Sequence, residues 1–257
     1  MVLLDTVYAD LWSIYEGEGD CTEPRSWPFL HDLAAAEGLT PASRLLDAGC
    51  GRGDHSFALA ARLGCHVTGV DLVAQRVHDA ASRESRPPGT RFVQASIGRA
   101  PFAAGSFDFI WCVDVLLHLQ DLAAACRQLH RVLRPGGRML TLVTTETSLM
   151  QPGETGFYTR LGIAAESVRR EGLERAFQGA GFTSVRQEEL GAELLESADD
   201  ADGSRELTRL ARMRRHRDDL IAAWGPERYE TIRAFRLWLV YQLLGKLTST
   251  CYVLQKP

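Results

Sequence analysis

The stretch LLDAGCGRGDHS, residues 45–56, decides the fold. An apolar pair, Leu45-Leu46, leads through Asp47 into Gly49, Gly51 and Gly53, and a helical pattern starts directly after them. Glycine loses more backbone entropy on folding than any other residue, so three in five positions mark a loop that turns through positive φ or lies close against another group. A strand that ends in such a loop and enters a helix brings bare N–H groups and the positive end of a helix dipole to the C-terminal edge of a parallel sheet.

The residues on either side fit that setting. RLLDAG (44–49) reads as a first strand and HSFALAARLG (55–64) as a helix stopped by Gly64. HVTGVDL (66–72), the helix AQRVHDAASRE (74–84) and TRFVQAS (90–96) continue the alternation. SFDFIWCVDV (106–115) is the fourth strand, and the helix DLAAACRQLHRVL (121–133) ends at Pro135-Gly136-Gly137, before a fifth strand over 137–146. Short apolar runs alternating with helical patterns indicate βα units around a parallel sheet. Further on, a helix near 167–179, a strand over 182–190, two helices over roughly 203–224 and 226–244, and a last strand in LTSTCYVLQKP (247–257) are expected. The fold class is α/β: a Rossmann-like, doubly wound, seven-stranded mixed sheet with a helical lid between the last two strands. The expected organisation is an N-terminal helical flank over 1–43, a core of 44–190 and 247–257, and a lid of 191–246.

Composition narrows the function. The chain has 257 residues, 45% of them hydrophobic and 24% charged, as in globular proteins, and no run spans a bilayer. The N-terminus has no basic region or cleavage pattern, so a cytoplasmic location is expected. The six cysteines include no CxxC pair and the seven histidines no ligand spacing, so no metal is expected. With a net charge of −4, general affinity for polyphosphate is not expected. The arginine-rich RLARMRRHR (209–217) spreads its charges around several helix faces among Glu206, Asp218 and Asp219, and reads as a solvated surface.

The glycine spacing selects the ligand. A dinucleotide site of the form GxGxxG needs a third glycine at position 54, which is Asp54. The order here, Asp47-x-Gly49-x-Gly51-x-Gly53, resembles motif I of class I S-adenosylmethionine-dependent methyltransferases. RAPFAAGSFDFIWC (99–112) and LHRVLRPGGRML (129–140) resemble two further segments of that family in the right order, and the C-terminal pattern resembles its small-molecule branch. The resemblance implies S-adenosyl-L-methionine as cofactor, contacted by Asp47, Gly49, Gly51, Gly53, Asp71, Leu72, Ser96, Ile97, Val113 and Asp114. Asp71, ending the second strand, can accept both ribose hydroxyls, although a dehydrogenase uses an acid in the same way. Ser96 stands where many members carry an aspartate for the adenine amine; its hydroxyl is a weaker acceptor, so adenine recognition leans on backbone and on Leu72 and Ile97.

His118, in VDVLLHLQD just beyond the fourth strand, is the candidate general base, since imidazole titrates near neutrality and the resemblance places a histidine here in many natural-product and quinone methyltransferases. The alternative is a packing histidine beside the cofactor. Asp114 would hold the methionine amine or orient His118. Tyr15, Trp27, Tyr158 and Trp238 are candidates for the acceptor pocket. The expected partner is a small organic acceptor of secondary-metabolite type, with oxygen slightly favoured as the methylated atom, no nucleic acid, no membrane, and a homodimer left open. The rivals are a cyclisation or rearrangement that keeps the cofactor without transferring its methyl group, a nicotinamide-dependent dehydrogenase, and a non-catalytic binding module, which the candidate histidine and the lid make less attractive.

Overall fold

The structure, a computed structural model, describes residues 25–198 and 204–257. Seven strands form one sheet in the order β3-β2-β1-β4-β5-β7-β6. β1 (Arg44–Ala48), β2 (His66–Asp71), β3 (Thr90–Gln94), β4 (Phe107–Val113) and β5 (Leu133–Glu146) are parallel, while β7 (Leu247–Gln255) runs antiparallel between β5 and β6 (Thr183–Gly191). The order reverses direction between β1 and β4, the switch point at whose C-terminal edge open α/β sheets bind ligands.

Helices cover both faces. α1 (Trp27–Ala36), α2 (Asp54–Leu63) and α3 (Ala74–Ser82) precede β3; α4 (Leu122–Val132) and α5 (Arg170–Gly179) follow β4 and β5. Residues of opposite parity in one strand go to opposite faces. Leu45, Phe109 and Trp111 pack with Leu30 and Leu59 on one side, while Leu46, Ile110 and Cys112 pack with Leu129 and Phe177 on the other. The helix limits have local causes. α2 begins at Asp54, whose charge suits the helix N-terminus, and stops at Gly64 in the left-handed region (φ 69°). At α4 the Asp121 carboxylate accepts from Ala124 N at 2.8 Å.

Two expectations shift. β5 starts at Leu133 rather than 137, because Leu133 already pairs with Phe107 and the Pro135-Gly136-Gly137 corner is an irregularity within the strand, tied to the chain end by Gly136 N–H to Lys256 O at 2.8 Å. The expected helix over 203–224 is two: α7 (Ser204–Arg215) and α8 (Arg217–Trp224), broken at His216. The break falls in RMRRHR (212–217), whose crowded cations oppose a continuous helix, and Asp218 and Asp219 fit the first turn of the new one.

The segment between β6 and β7 holds α6 (Glu193–Ala198), α7, α8 and α9 (Pro226–Leu243). The Glu206 carboxylate, 2% exposed, accepts from Arg236 at 2.8 and 2.9 Å and also pairs with Arg209, fixing α7 against α9. Trp238 of α9 forms a third apolar cluster with Phe157, Tyr158, Ile163 and Leu117. Of the expected N-terminal flank, α1 lies within the described residues; Tyr15 lies outside them. Among the described residues no helix is long and apolar enough to cross a membrane.

Candidate active site

The glycine loop leaves β1 through three positive-φ positions, Gly49 (85°), Gly51 (52°) and Gly53 (83°). A Cβ at Gly49 would collide with Val115, and one at Gly53 would meet Phe92 Cζ at 2.9 Å, whereas one at Gly51 would meet no atom within 4 Å. Gly49 and Gly53 are glycine for the fold, and Gly51 keeps its surroundings clear.

Asp71 closes the loop from the next strand. Its Oδ2 accepts from Gly51 N at 2.9 Å and its Oδ1 from Val73 N at 2.8 Å. Each carboxylate oxygen has a second lone pair, so the group can position the loop and still accept a ligand hydroxyl on each oxygen. Asp71→Ala is expected to weaken S-adenosylhomocysteine binding by about 1.5–3 kcal/mol, the worth of charged hydrogen bonds, as read by titration calorimetry.

Asp47 is only 3% exposed and accepts from Ser56 Oγ at 2.5 Å, linking β1 to the first turn of α2. Burial pushes its carboxyl up to about 7. It ties β1 to α2 directly behind the glycine loop. Beyond β2 and β3, Leu72 is 69% exposed, Ser96 is exposed and Ile97 is buried. The Gln94 amide donates to Leu72 O at 3.3 Å, drawing those strand ends together.

At the end of β4, after half-buried Val113, Asp114 is the one non-glycine among the described residues with positive φ, 55°. Such a conformation costs free energy and persists where the surroundings impose it, often at functional sites. Its side chain is exposed onto a cavity, and desolvation by the surrounding protein pushes its carboxyl up to about 6.

That cavity, about 480 Å³, lies where β4, β5 and β7 meet the inserted helices. Its apolar wall is Trp27 from α1, Leu117, Leu142, Leu161, Ile163, Leu194 and Leu195, with Phe235, Trp238 and Leu239 from α9; its polar groups are Asp114, His118, Thr144, Gln242 and Ser249. Phe235, Leu239 and Gln242 are spaced i, i+4, i+7 along α9 and share one face. Tyr158 is corrected from pocket wall to support. It is 4% exposed, directly follows the 3-10 turn Glu154–Phe157, and stands behind Trp238, ring centroids 6.1 Å apart.

His118 is exposed on the cavity wall, and its Nδ1 lies 3.3 Å from Gly162 O. A carbonyl only accepts, so Nδ1 carries the hydrogen and Nε2 keeps a lone pair. Gly162, not Asp114, therefore orients His118. No local sequence signal marks this contact, because the partners are 44 residues apart. Thr144 and Ser249, directly opposite across β5 and β7 with hydroxyls 3.1 Å apart, were equally hidden inside apolar strand patterns.

Trp27 is held from behind by buried rings. Its centroid is 4.8 Å from that of His55, whose Nδ1 is 3.2 Å from His31 Nε2, and Trp111 packs against both histidines at 5.3 Å. Burial, with His55 and Arg62 nearby, lowers His31 to about 4, and burial lowers His55 as well. A histidine depressed in the folded state takes up a proton on unfolding, so its stabilisation is complete above 6.5 and is lost as pH falls towards 4. Asp47, raised by burial, acts oppositely between 3.8 and about 7, flattening the wild-type profile. The stability advantage of wild type over His31→Gln is therefore expected to shrink by about 2 kcal/mol from pH 7 to pH 5 in urea unfolding.

The geometry is that of a nucleotide-type cradle opening onto a carbon-lined chamber. Residues 46–141 match the family described as "Methyltransferase domain". A phosphoethanolamine N-methyltransferase of Triticum aestivum is 29% identical over 76% of this chain and 37% of its own length. A ubiquinone biosynthesis O-methyltransferase of Xanthomonas campestris pv. campestris is 37% identical over 47% of this chain and 51% of its own. The crystal structure of the cyclase SpnF superposes with a TM-score of 0.69 and 21% identity, covering 93% of this chain and 86% of that one. The chain spans well under two thirds of the length of either sequence relative. Residues 46–141 are thus a methyltransferase domain by similarity, and fold, glycine loop and relatives together support a class I S-adenosylmethionine-dependent methyltransferase, a class whose cofactor is S-adenosyl-L-methionine.

The residues present fit that cofactor. The Gly51 position is clear of protein atoms, Asp71 has acceptor capacity to spare, and the desolvated Asp114 carboxyl lacks a cationic partner among the described residues, which the amine of the methionine part would supply.

Proposed function

We propose that the protein methylates a hydroxyl oxygen of a small organic acceptor held in the 480 Å³ cavity, with α6–α9 as its lid. The observation that carries the reading is His118, on the cavity wall with Nδ1 committed to Gly162 and Nε2 free to take a proton. In this assignment the Gly49–Gly53 amides and Asp71 hold the ribose side of the cofactor, Leu72, Ser96 and Ile97 flank the adenine, and Asp114 binds the amine. When bound, S-adenosylmethionine supplies a methyl group on a sulfonium, a leaving group that needs no protonation. The protein then has to align the acceptor, exclude water and remove the hydroxyl proton. Val113 and Asp114 bring the strand end to the reacting centre, the apolar wall keeps it dry, and His118 Nε2 takes the proton as the oxygen–carbon bond forms.

The Xanthomonas relative is an O-methyltransferase by name, the wheat one an N-methyltransferase of a phosphorylated amine. The exposed base favours the first kind. A second reading, rearrangement of the acceptor without methyl transfer, has the cyclase SpnF as a fold neighbour. Incubation with methyl-labelled cofactor and a panel of phenolic and polyketide-like acceptors separates them. The proposal expects label in the product and one S-adenosylhomocysteine released per turnover; a converted acceptor with the label still on the cofactor refutes it.

A further inference from the structure

The cavity has only two titratable side chains on its walls, Asp114 and His118, and no arginine or lysine. The absence of Lys and Arg extends beyond the described residues, since residues 1–24 and 199–203 contain nine Asp and Glu and no Lys, Arg or His. In a chain with 29 Lys and Arg, none of these side chains reaches the chamber, and whatever either of those segments adds to it is neutral or acidic. An anionic acceptor would be desolvated there without a lysine or arginine to pair with.

The polar groups away from the base are neutral and joined. Thr144 Oγ1 and Ser249 Oγ are 3.1 Å apart, and Ser249 Oγ donates to Gln242 Oε1 at 3.4 Å. Thr144 and Ser249 are almost fully buried, 3% and 5% exposed, and their strands fix them. The pair anchors one end of the Gln242 amide, whose other end has no hydrogen-bond partner among the described residues and belongs to the cavity lining.

We infer that the acceptor is an uncharged, largely carbon molecule with a neutral hydrogen-bonding group that Gln242 reads, and that phosphorylated and carboxylated acceptors are excluded by the missing cation. Gln242 is a specificity-determining residue, and the Thr144–Ser249 pair is its positioning support. The inference rests on the methyltransferase reading for which end of the cavity faces the transferred group; the charge argument stands without it.

The test compares 2-naphthol with 2-naphthyl phosphate, two probes alike in ring system and unlike in charge, by titration calorimetry on the full chain. Wild type is expected to bind 2-naphthol at least about 30-fold more tightly, the phosphate being denied a partner for its charge. Gln242→Arg, checked for folding by circular dichroism, is expected to narrow that ratio at least tenfold by placing a cation on the wall. Equal or tighter binding of the phosphate by wild type overturns the inference, as does binding of neither probe. An unchanged ratio in folded Gln242→Arg also counts against it, by removing Gln242 from the wall. S-adenosylhomocysteine binding is titrated separately: its loss speaks against the methyltransferase reading, while the probe ratio decides the acceptor class.

Discussion

Gly51→Val is expected to give a folded protein whose affinity for S-adenosylhomocysteine has fallen at least about 100-fold, the β-branched side chain standing where a ligand must meet the main chain. Gly51 has φ 52°, and a Cβ there meets no protein atom within 4 Å. The folding cost is therefore confined to the left-handed backbone, about 1–2 kcal/mol. The contrast with Gly49→Val makes the result informative. At Gly49 the new side chain would drive into Val115, so loss of binding there follows from loss of packing. Circular dichroism and titration calorimetry on both variants separate the two causes. Normal binding by folded Gly51→Val would reduce the loop to a turn.

His118→Ala is expected to leave cofactor affinity within a few-fold and to lower single-turnover methyl transfer by roughly 10²- to 10⁴-fold, the range of a general base. The side chain is exposed, and its side-chain hydrogen bond is to Gly162 O, so little of the fold depends on it. Wild-type rates should rise with pH along a limb that the variant lacks, because the base acts only when its Nε2 lone pair is free. A packing role would instead show as lost affinity or stability with the chemical step unchanged. A pH-independent wild-type step would move the reading to an acceptor that needs no deprotonation.

β1, β2 and β4 were legible because each is short, largely buried and bounded by residues with one backbone use. Gly64 and Asp121 delimit helices as their chemistry requires. The corner at Pro135-Gly136-Gly137 was misplaced as a boundary because pairing of Leu133 with Phe107 is a long-range contact that local turn chemistry does not show. The site divides in the same way. Residues fixed by their position along a strand or loop, such as Gly49, Gly51, Gly53, Asp71 and Asp114, could be singled out as candidates from the glycine motif and the family resemblance. The orientation of His118 by Gly162, the Thr144–Ser249 support of Gln242 and the demotion of Tyr158 depend on which distant segments pack together. The hydrogen bond from Ser56 to Asp47, the acid that opens the glycine motif, was likewise hidden from motif reading.

The central claim is that the loop after β1, with Asp71 behind it, binds the S-adenosyl cofactor. Titration calorimetry of the wild-type chain with S-adenosylhomocysteine, and separately with NADH, tests it most directly. The expected result is saturable binding of one S-adenosylhomocysteine per chain and no heat with NADH. Binding of NADH, or no binding of S-adenosylhomocysteine by protein shown to be folded, would contradict it.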